Sequence, residues 1–140
     1  MLARHGKVNV AGGWIAPWEI AEWIERYNHA DIFRGPVPSD ATIKAQSAGR
    51  IVSSTLVRAT ESAQLLAPKQ SILTDEVFRE AGLPYSLWRA PQLPAPIWAA
   101  TFRLAWFRGF SALAESHAQA KLRARIAAQK LITLARESES

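Results

Sequence analysis

Cysteine is absent from the 140 residues. That excludes disulfides and thiolate metal sites, and it fits a reducing compartment. A long apolar run is missing too. Arg4, His5 and Lys7 interrupt the start before a signal-like apolar segment can form. The most aromatic stretch, Ile97 to Phe110, falls short of the ~20 apolar residues that a bilayer span requires and is broken by Arg103 and Arg108. The expectations are a cytoplasmic location and no stable membrane insertion. Acidic residues are the scarcer charge, 12 against 17 Lys and Arg, which leaves a formal net charge of +5. Such an excess suits nucleic acid, anionic lipid or a phosphorylated small molecule. The basic residues are scattered, however, and the densest group, Lys121, Arg123, Arg125 and Lys130, lies in an alanine-rich stretch that reads as a solvated helix face. No nucleic-acid partner is expected.

What is present is core-forming. With 49% hydrophobic content, residues 1–140 are one domain's worth of chain, able to bury a real core. Residues 1–3 read as the end of a buried strand that delivers His5 to its C-terminal edge, with a loop at 7–13 punctuated by Gly12 and Gly13. Pro17, Trp18, Ala21 and Ile24 set a helical period over 17–28, with His29 at its C-terminal end. A loop at 31–40 and a short helix at 41–49 follow. Arg50-Ile51-Val52-Ser53 has the β-branched content of a second buried strand. The helix after it, 57–67, stops before Pro68 and places Arg58 in its first turn. Residues 71–79 read as a strand and its approach. Four prolines between 82 and 96 make that segment a structured loop. In the aromatic stretch, Trp98, Phe102 and Trp106 share one helical face, while Phe107 and Phe110 lie off it. The last helix, 113–137, is expected to pack through Leu113, Ala120, Ala124, Ala127, Leu131, Leu134 and Ala135. His117, near the edge of that face, reads as a packed or surface histidine.

Two stretches carry chemistry. In Arg4-His5-Gly6, glycine lets the backbone come close to a ligand, arginine offers a planar fork of donors for phosphate oxygens, and neutral imidazole is a nucleophile near neutral pH. Arg58 sits where helix N-terminal amides favour an anion. The alternative for Arg58 is an ion pair with Glu61.

Arg4-His5-Gly6, followed by Ser53-Ser54-x-x-x-Arg58-Ala59-x-x-Ser62-Ala63 and then Phe78-Arg79-Glu80, resembles the histidine phosphatase superfamily, which includes the phosphoglycerate mutases. The resemblance runs over nearly the whole chain. It implies an α/β fold of three layers, a mostly parallel central sheet flanked by helices, incomplete at the C-terminal end. It also implies phosphohydrolase activity on a phosphomonoester through a phosphohistidine at His5. Arg4, Arg58 and Gly6 would bind the substrate phosphate, and Glu80 would give a proton to the leaving group if burial against Phe78 or Trp88 kept that proton available. No cofactor and no metal are implied, because the arginines supply the positive charge; the expected partner is a phosphorylated small molecule or a phosphoprotein. The family's second histidine, in a Gly-His-Gly-like motif after a later strand, has no counterpart before Ser140. A domain trimmed at both ends and of weak or absent activity is therefore expected. The alternative is a catalytically inactive or fragmentary member that binds phosphate-like anions or a protein partner, with self-association through the open sheet or the aromatic helix.

Overall fold

The computed structural model describes residues 1–139. The elements run in the order β1 (Trp14–Ile15), α1 (Ile20–His29), α2 (Ser39–Gln46), β2 (Ile51–Ser53), α3 (Val57–Leu66), β3 (Ile72–Thr74), β4 (Leu93–Pro94), α4 (Ala95–Phe107) and α5 (His117–Glu139). Single 3-10 turns lie at Pro17–Glu19 and Glu76–Phe78. The class is mixed α/β, with helix (50%) far exceeding strand (9%), so its sheets are small. The chain packs as two compact units. One holds Met1–Asn9, Asn28–Arg79 and the C-terminal segment from Ala124; the other holds Val10–Tyr27 and Glu80–Arg123.

The first unit is built on a β-α-β element. Ile51 and Val52 favour extended backbone, and β2 pairs in parallel with β3, Ile51 opposite Ile72 and Ser53 opposite Thr74. Parallel strands need a crossover, and α3 supplies it, packing on both strands. Its last turn closes through Ala67 N–H to the Ala63 carbonyl (3.0 Å), just before Pro68. Beside it, Gln70 Nε2 donates to the Gln46 carbonyl at 2.8 Å and so satisfies the end of α2. Residues 1–3 do not form the expected strand. Met1 and Leu2 are exposed, and three residues without a paired neighbour cannot satisfy their backbone groups as a strand. The pairing comes later, where Asn9 N–H meets the Asp31 carbonyl and Phe33 N–H meets the Lys7 carbonyl, both at 2.8 Å.

Asp75 begins the turn after β3. Its carboxylate accepts from Val77 N–H at 2.8 Å and pairs with Lys130 of α5. The Lys130 hydrogen bond first, and the Val77 N–H next, hold the carboxyl below its ordinary range. A carboxylate whose folded-state pKa is depressed contributes stability above its unfolded pKa and loses it as pH falls through the folded value. Acidification below the usual Asp range is therefore expected to release the Lys130 turn of α5, seen as faster amide exchange there. In Asp75→Asn that acid-dependent step should be gone; an unchanged step would refute the assignment.

The second unit has its own core of Ile15, Ile20, Ala95, Trp98 and Phe102, flanked by half-buried Trp23, Ile24, Leu83, Tyr85 and Phe110. β1 pairs antiparallel with β4, Trp14 opposite Pro94, and Trp98 Nε1 donates to the buried Ile15 carbonyl at 2.9 Å. As the spacing predicts, Trp98, Phe102 and Trp106 form the buried face of α4. The helix ends on Gly109 (φ 102°). Gly109 N–H bonds to the Trp106 carbonyl and Phe110 N–H to the Ala105 carbonyl, each at 3.0 Å, a pair of closing bonds that needs a left-handed residue at Gly109. This turn folds Phe110 back onto Phe102, with ring centroids 6.1 Å apart.

α5 begins four residues later than Leu113, whose φ of 59° lies outside helical space. Its packed side is also rotated from the expected one. Ala120 is buried and Ala127, Lys130 and Leu134 are half-buried, whereas Ala124, Leu131 and Ala135 are exposed. Ion pairs from Arg123 to Glu115 and from Lys130 to Asp75 lie toward that packed side, so charged anchors as well as alanines set its rotation. His117 is packed, its ring edge-on to Trp106 at 4.9 Å. Among the described residues no helix is long and apolar enough to cross a membrane.

Candidate functional site

His5 lies in extended coil between exposed Arg4 and half-buried Gly6. Its Nδ1 is 2.7 Å from the Gly6 carbonyl oxygen. A carbonyl only accepts, so this hydrogen bond requires a proton on Nδ1.

The segment is fastened to α3 through one hydroxyl. Gly6 N–H donates to Ser62 Oγ at 2.9 Å, and the Ser62 hydroxyl donates to the Arg58 carbonyl at 2.6 Å. A β-carbon at Gly6 would stand 3.3 Å from Ile32 Cδ1 and 3.7 Å from Ser62 Oγ, so a larger residue here would require the Ile32 side chain to give by a few tenths of an ångström. Ile32 is fixed in turn by Glu61, whose Oε2 accepts from Ile32 N–H at 2.9 Å. On the outer side, Lys7 Nζ rests 5.4 Å from the centre of the Phe33 ring. The two sequence motifs thus meet within the first unit, joined through backbone atoms of Gly6 and Arg58.

Arg58 occupies the first turn of α3, as the sequence predicts, and is 2% exposed. Its Nη1 donates to Asn28 Oδ1, at the end of α1, at 3.2 Å. Ser53 and Ser54 are buried beside the strand end, where the Ser53 hydroxyl donates to the Ser54 carbonyl at 3.0 Å.

Glu80 belongs to the second unit. The burial against Phe78 or Trp88 that would keep a proton on it is not met: Glu80 is exposed, and the Trp88 ring packs against Phe102 and Phe110. Two contributors are invisible to sequence reasoning. Asn28 reads as one more position of a helical period, and Ser62 stands in the motif without a stated role. Only the folded chain shows that one holds the Arg58 fork and the other bridges Gly6 to α3.

Removing the Ser62 hydroxyl leaves Gly6 N–H without its acceptor, at an expected cost of roughly 1–3 kcal/mol. Ser62→Ala should therefore lower the melting temperature and speed exchange of the Gly6 amide; an amide as protected as in the parent would show that the bridge does not hold the segment.

No protein-family model matches the chain, and neither a curated protein nor a solved structure does.

Proposed function

We propose that the chain binds a phosphoryl group at His5, with Arg4 and Arg58 as its cations, and acts as a phosphohydrolase through a phosphohistidine. The carrying observation is the hydroxyl bridge that ties the backbone of Gly6, next to His5, to that of Arg58. In this reading His5 Nε2 attacks phosphorus, the bond to the leaving oxygen breaks, and water then cleaves the P–N bond. Nδ1–H bonded to the Gly6 carbonyl stabilises the imidazole as it gains positive character. An aryl phosphate, whose phenolate leaves without a proton, is the substrate of choice for an assay, because it tests His5 independently of Glu80. The β2-α3-β3 unit fits the three-layer, mostly parallel arrangement that belongs to the same proposal.

A second reading is an anion-binding half-site without turnover. The burial of Arg58 and its bond to the Asn28 amide favour it, because a guanidinium held this way serves structure as well as ligand.

The test is a thermal melt with and without orthovanadate, with His5→Ala alongside, followed by trapping of acid-labile, alkali-stable label from a radiolabelled aryl phosphate. Vanadate at about a hundred times its dissociation constant should stabilise the protein by roughly 2.7 kcal/mol, and His5→Ala should reduce that shift and abolish the label. A vanadate shift without label supports the half-site; a parent melt that vanadate does not move refutes both readings.

A further inference from the structure

Val8 and Ile32 form an antiparallel bridge, so Lys7 and Phe33 stand opposite one another, fastened by Phe33 N–H to the Lys7 carbonyl at 2.8 Å. Side chains alternate from face to face along such a pair. Ile32 is 5% exposed, and a β-carbon at Gly6 would meet Ile32 and Ser62, which sets this face on the side of α3. Lys7 and Phe33 take the other side. There Phe33 remains 54% exposed, although the Lys7 ammonium lies 5.4 Å from its ring centre. The same alternation puts His5, two residues before Lys7 and roughly 7 Å away along extended backbone, on that outer side. Candidate nucleophile, cation and aromatic ring thus share one edge of the first unit.

We infer that Lys7 and Phe33 form the leaving-group subsite of the phosphoryl site at His5 and select an aryl phosphomonoester. The inference rests on the reading of His5 as phosphoryl acceptor. In such an ester a single oxygen joins phosphorus to the ring, so phosphorus held at His5 carries the ring to the neighbouring Phe33. Two aromatic rings in offset or edge-on contact gain more than their burial alone; an alkyl phosphate offers Phe33 no such partner. When the P–O bond breaks, its electron pair leaves with the phenolate oxygen, and the Lys7 ammonium places a positive charge beside it. The present contact of Lys7 with Phe33 is an exposed cation–π pair, weak enough to give way to an anion. The surface past Phe33 is open. The chain turns there, Gly35 N–H returning to the Phe33 carbonyl at 3.0 Å, and a β-carbon at Gly35 would meet nothing within 4 Å. Asp31, the acidic residue of this ladder, stands opposite Asn9, at the end away from His5.

Calorimetric binding of phenylphosphonate and methylphosphonate, which carry the same anion and resist hydrolysis, tests the subsite on the intact chain. The parent should prefer the phenyl compound about two- to tenfold. Phe33→Leu, at an exposed position where folding is spared, should bring the two affinities together and leave the orthovanadate melting shift unchanged; a merely structural Phe33 would weaken all three ligands alike. In turnover, Lys7→Met should slow phenyl phosphate more than 4-nitrophenyl phosphate, whose leaving anion is already stable. Equal slowing, or a parent without turnover, overturns the part assigned to Lys7. A parent that binds neither vanadate nor the phosphonates sinks the His5 reading and the subsite together. Vanadate binding without a preference between the phosphonates, or a preference that survives Phe33→Leu, overturns the subsite alone. A peptide bearing the phosphonate analogue of phosphotyrosine identifies the source of the ring: binding tighter than phenylphosphonate assigns the subsite to a phosphoprotein, equal or weaker binding to a small aryl phosphate.

Discussion

Arg58→Ala is expected to destabilise the first unit by roughly 3–5 kcal/mol, out of the ~5–15 kcal/mol that separates a typical domain from its unfolded chain. Two costs add. Arg58 is among the largest fully buried side chains of the protein, so its truncation leaves a void lined by groups that have lost their contacts. It also takes the donor from Asn28 Oδ1, and a polar atom left unbonded inside a protein costs about 1–3 kcal/mol by itself. Arg58→Met separates the two, since its unbranched stem fills most of the space but donates nothing. Arg58→Lys then addresses function. It keeps the charge and loses the fork, so a folded Arg58→Lys chain whose vanadate shift is much smaller than the parent's assigns the guanidinium a role at the phosphoryl group. Chemical denaturation read at a tryptophan-independent signal, such as far-UV circular dichroism, measures the summed cost in Arg58→Ala and, by difference from Arg58→Met, its two parts. A loss below about 1 kcal/mol for Arg58→Ala would show that the buried guanidinium is held at nearly as much expense as it returns.

Phe102→Ala is expected to remove a similar amount, roughly 3–5 kcal/mol, from the second unit. Phe102 is 1% exposed and lies at the centre of an aromatic group, 5.8 Å from Trp98, 6.1 Å from Phe110 and 6.2 Å from Trp88 between ring centroids. Each such ring pair contributes about 0.5–1.5 kcal/mol beyond burial. Loss of Phe102 also removes the surface on which Phe110 lands after the Gly109 turn. Near-UV circular dichroism should therefore collapse at a lower denaturant concentration than in the parent. A transition that stays in place would mean that Trp88 and Phe110 close the gap.

The parts of the fold written in local sequence are those where one physical rule dominates. β2 was legible because Ile51 and Val52 have few good alternatives to extended backbone; α3 was legible because Pro68 stops it and the strand before it fixes its start. With those two boundaries set, Arg58 had to fall in the first turn. The face of α4 was legible from the spacing of Trp98, Phe102 and Trp106, three large side chains that no surface would hold together.

Other features depend on partners far along the chain. The apolar content of Leu2 and Ala3 suggests a strand, but a strand exists only if a neighbour takes its hydrogen bonds, and the neighbour selected the segment around Val8 instead, through Ile32. α5 shows the same limit. Its alanines are compatible with several rotations, and the choice among them was made with Lys130 and Arg123 reaching Asp75 and Glu115, acidic residues outside the helix. For the candidate site, the chemistry of His5 and Arg58 could be named from residue types, but the Nδ1 hydrogen bond of His5, the Asn28 amide on Arg58 and the Ser62 bridge could not. Each depends on a distance. For Glu80, the surroundings could not be read from residue type either: it lies exposed rather than against Phe78 or Trp88.

The pairing of Trp14 with Pro94 and of Ile15 with Leu93 has a consequence for the order of events as the protein assembles. The β2-α3-β3 element closes over a short span of chain, so its strands meet after a small loss of loop entropy. β1 must wait for a partner some eighty residues further on. During synthesis the early tryptophan-rich segment therefore emerges with no strand to join, and its exposed Trp14 and Trp18 are the surfaces that a nascent-chain chaperone would meet first. A slow kinetic phase in refolding, carried by the β1-β4 pairing and absent from the β2-α3-β3 element, is the trace that this ordering should leave.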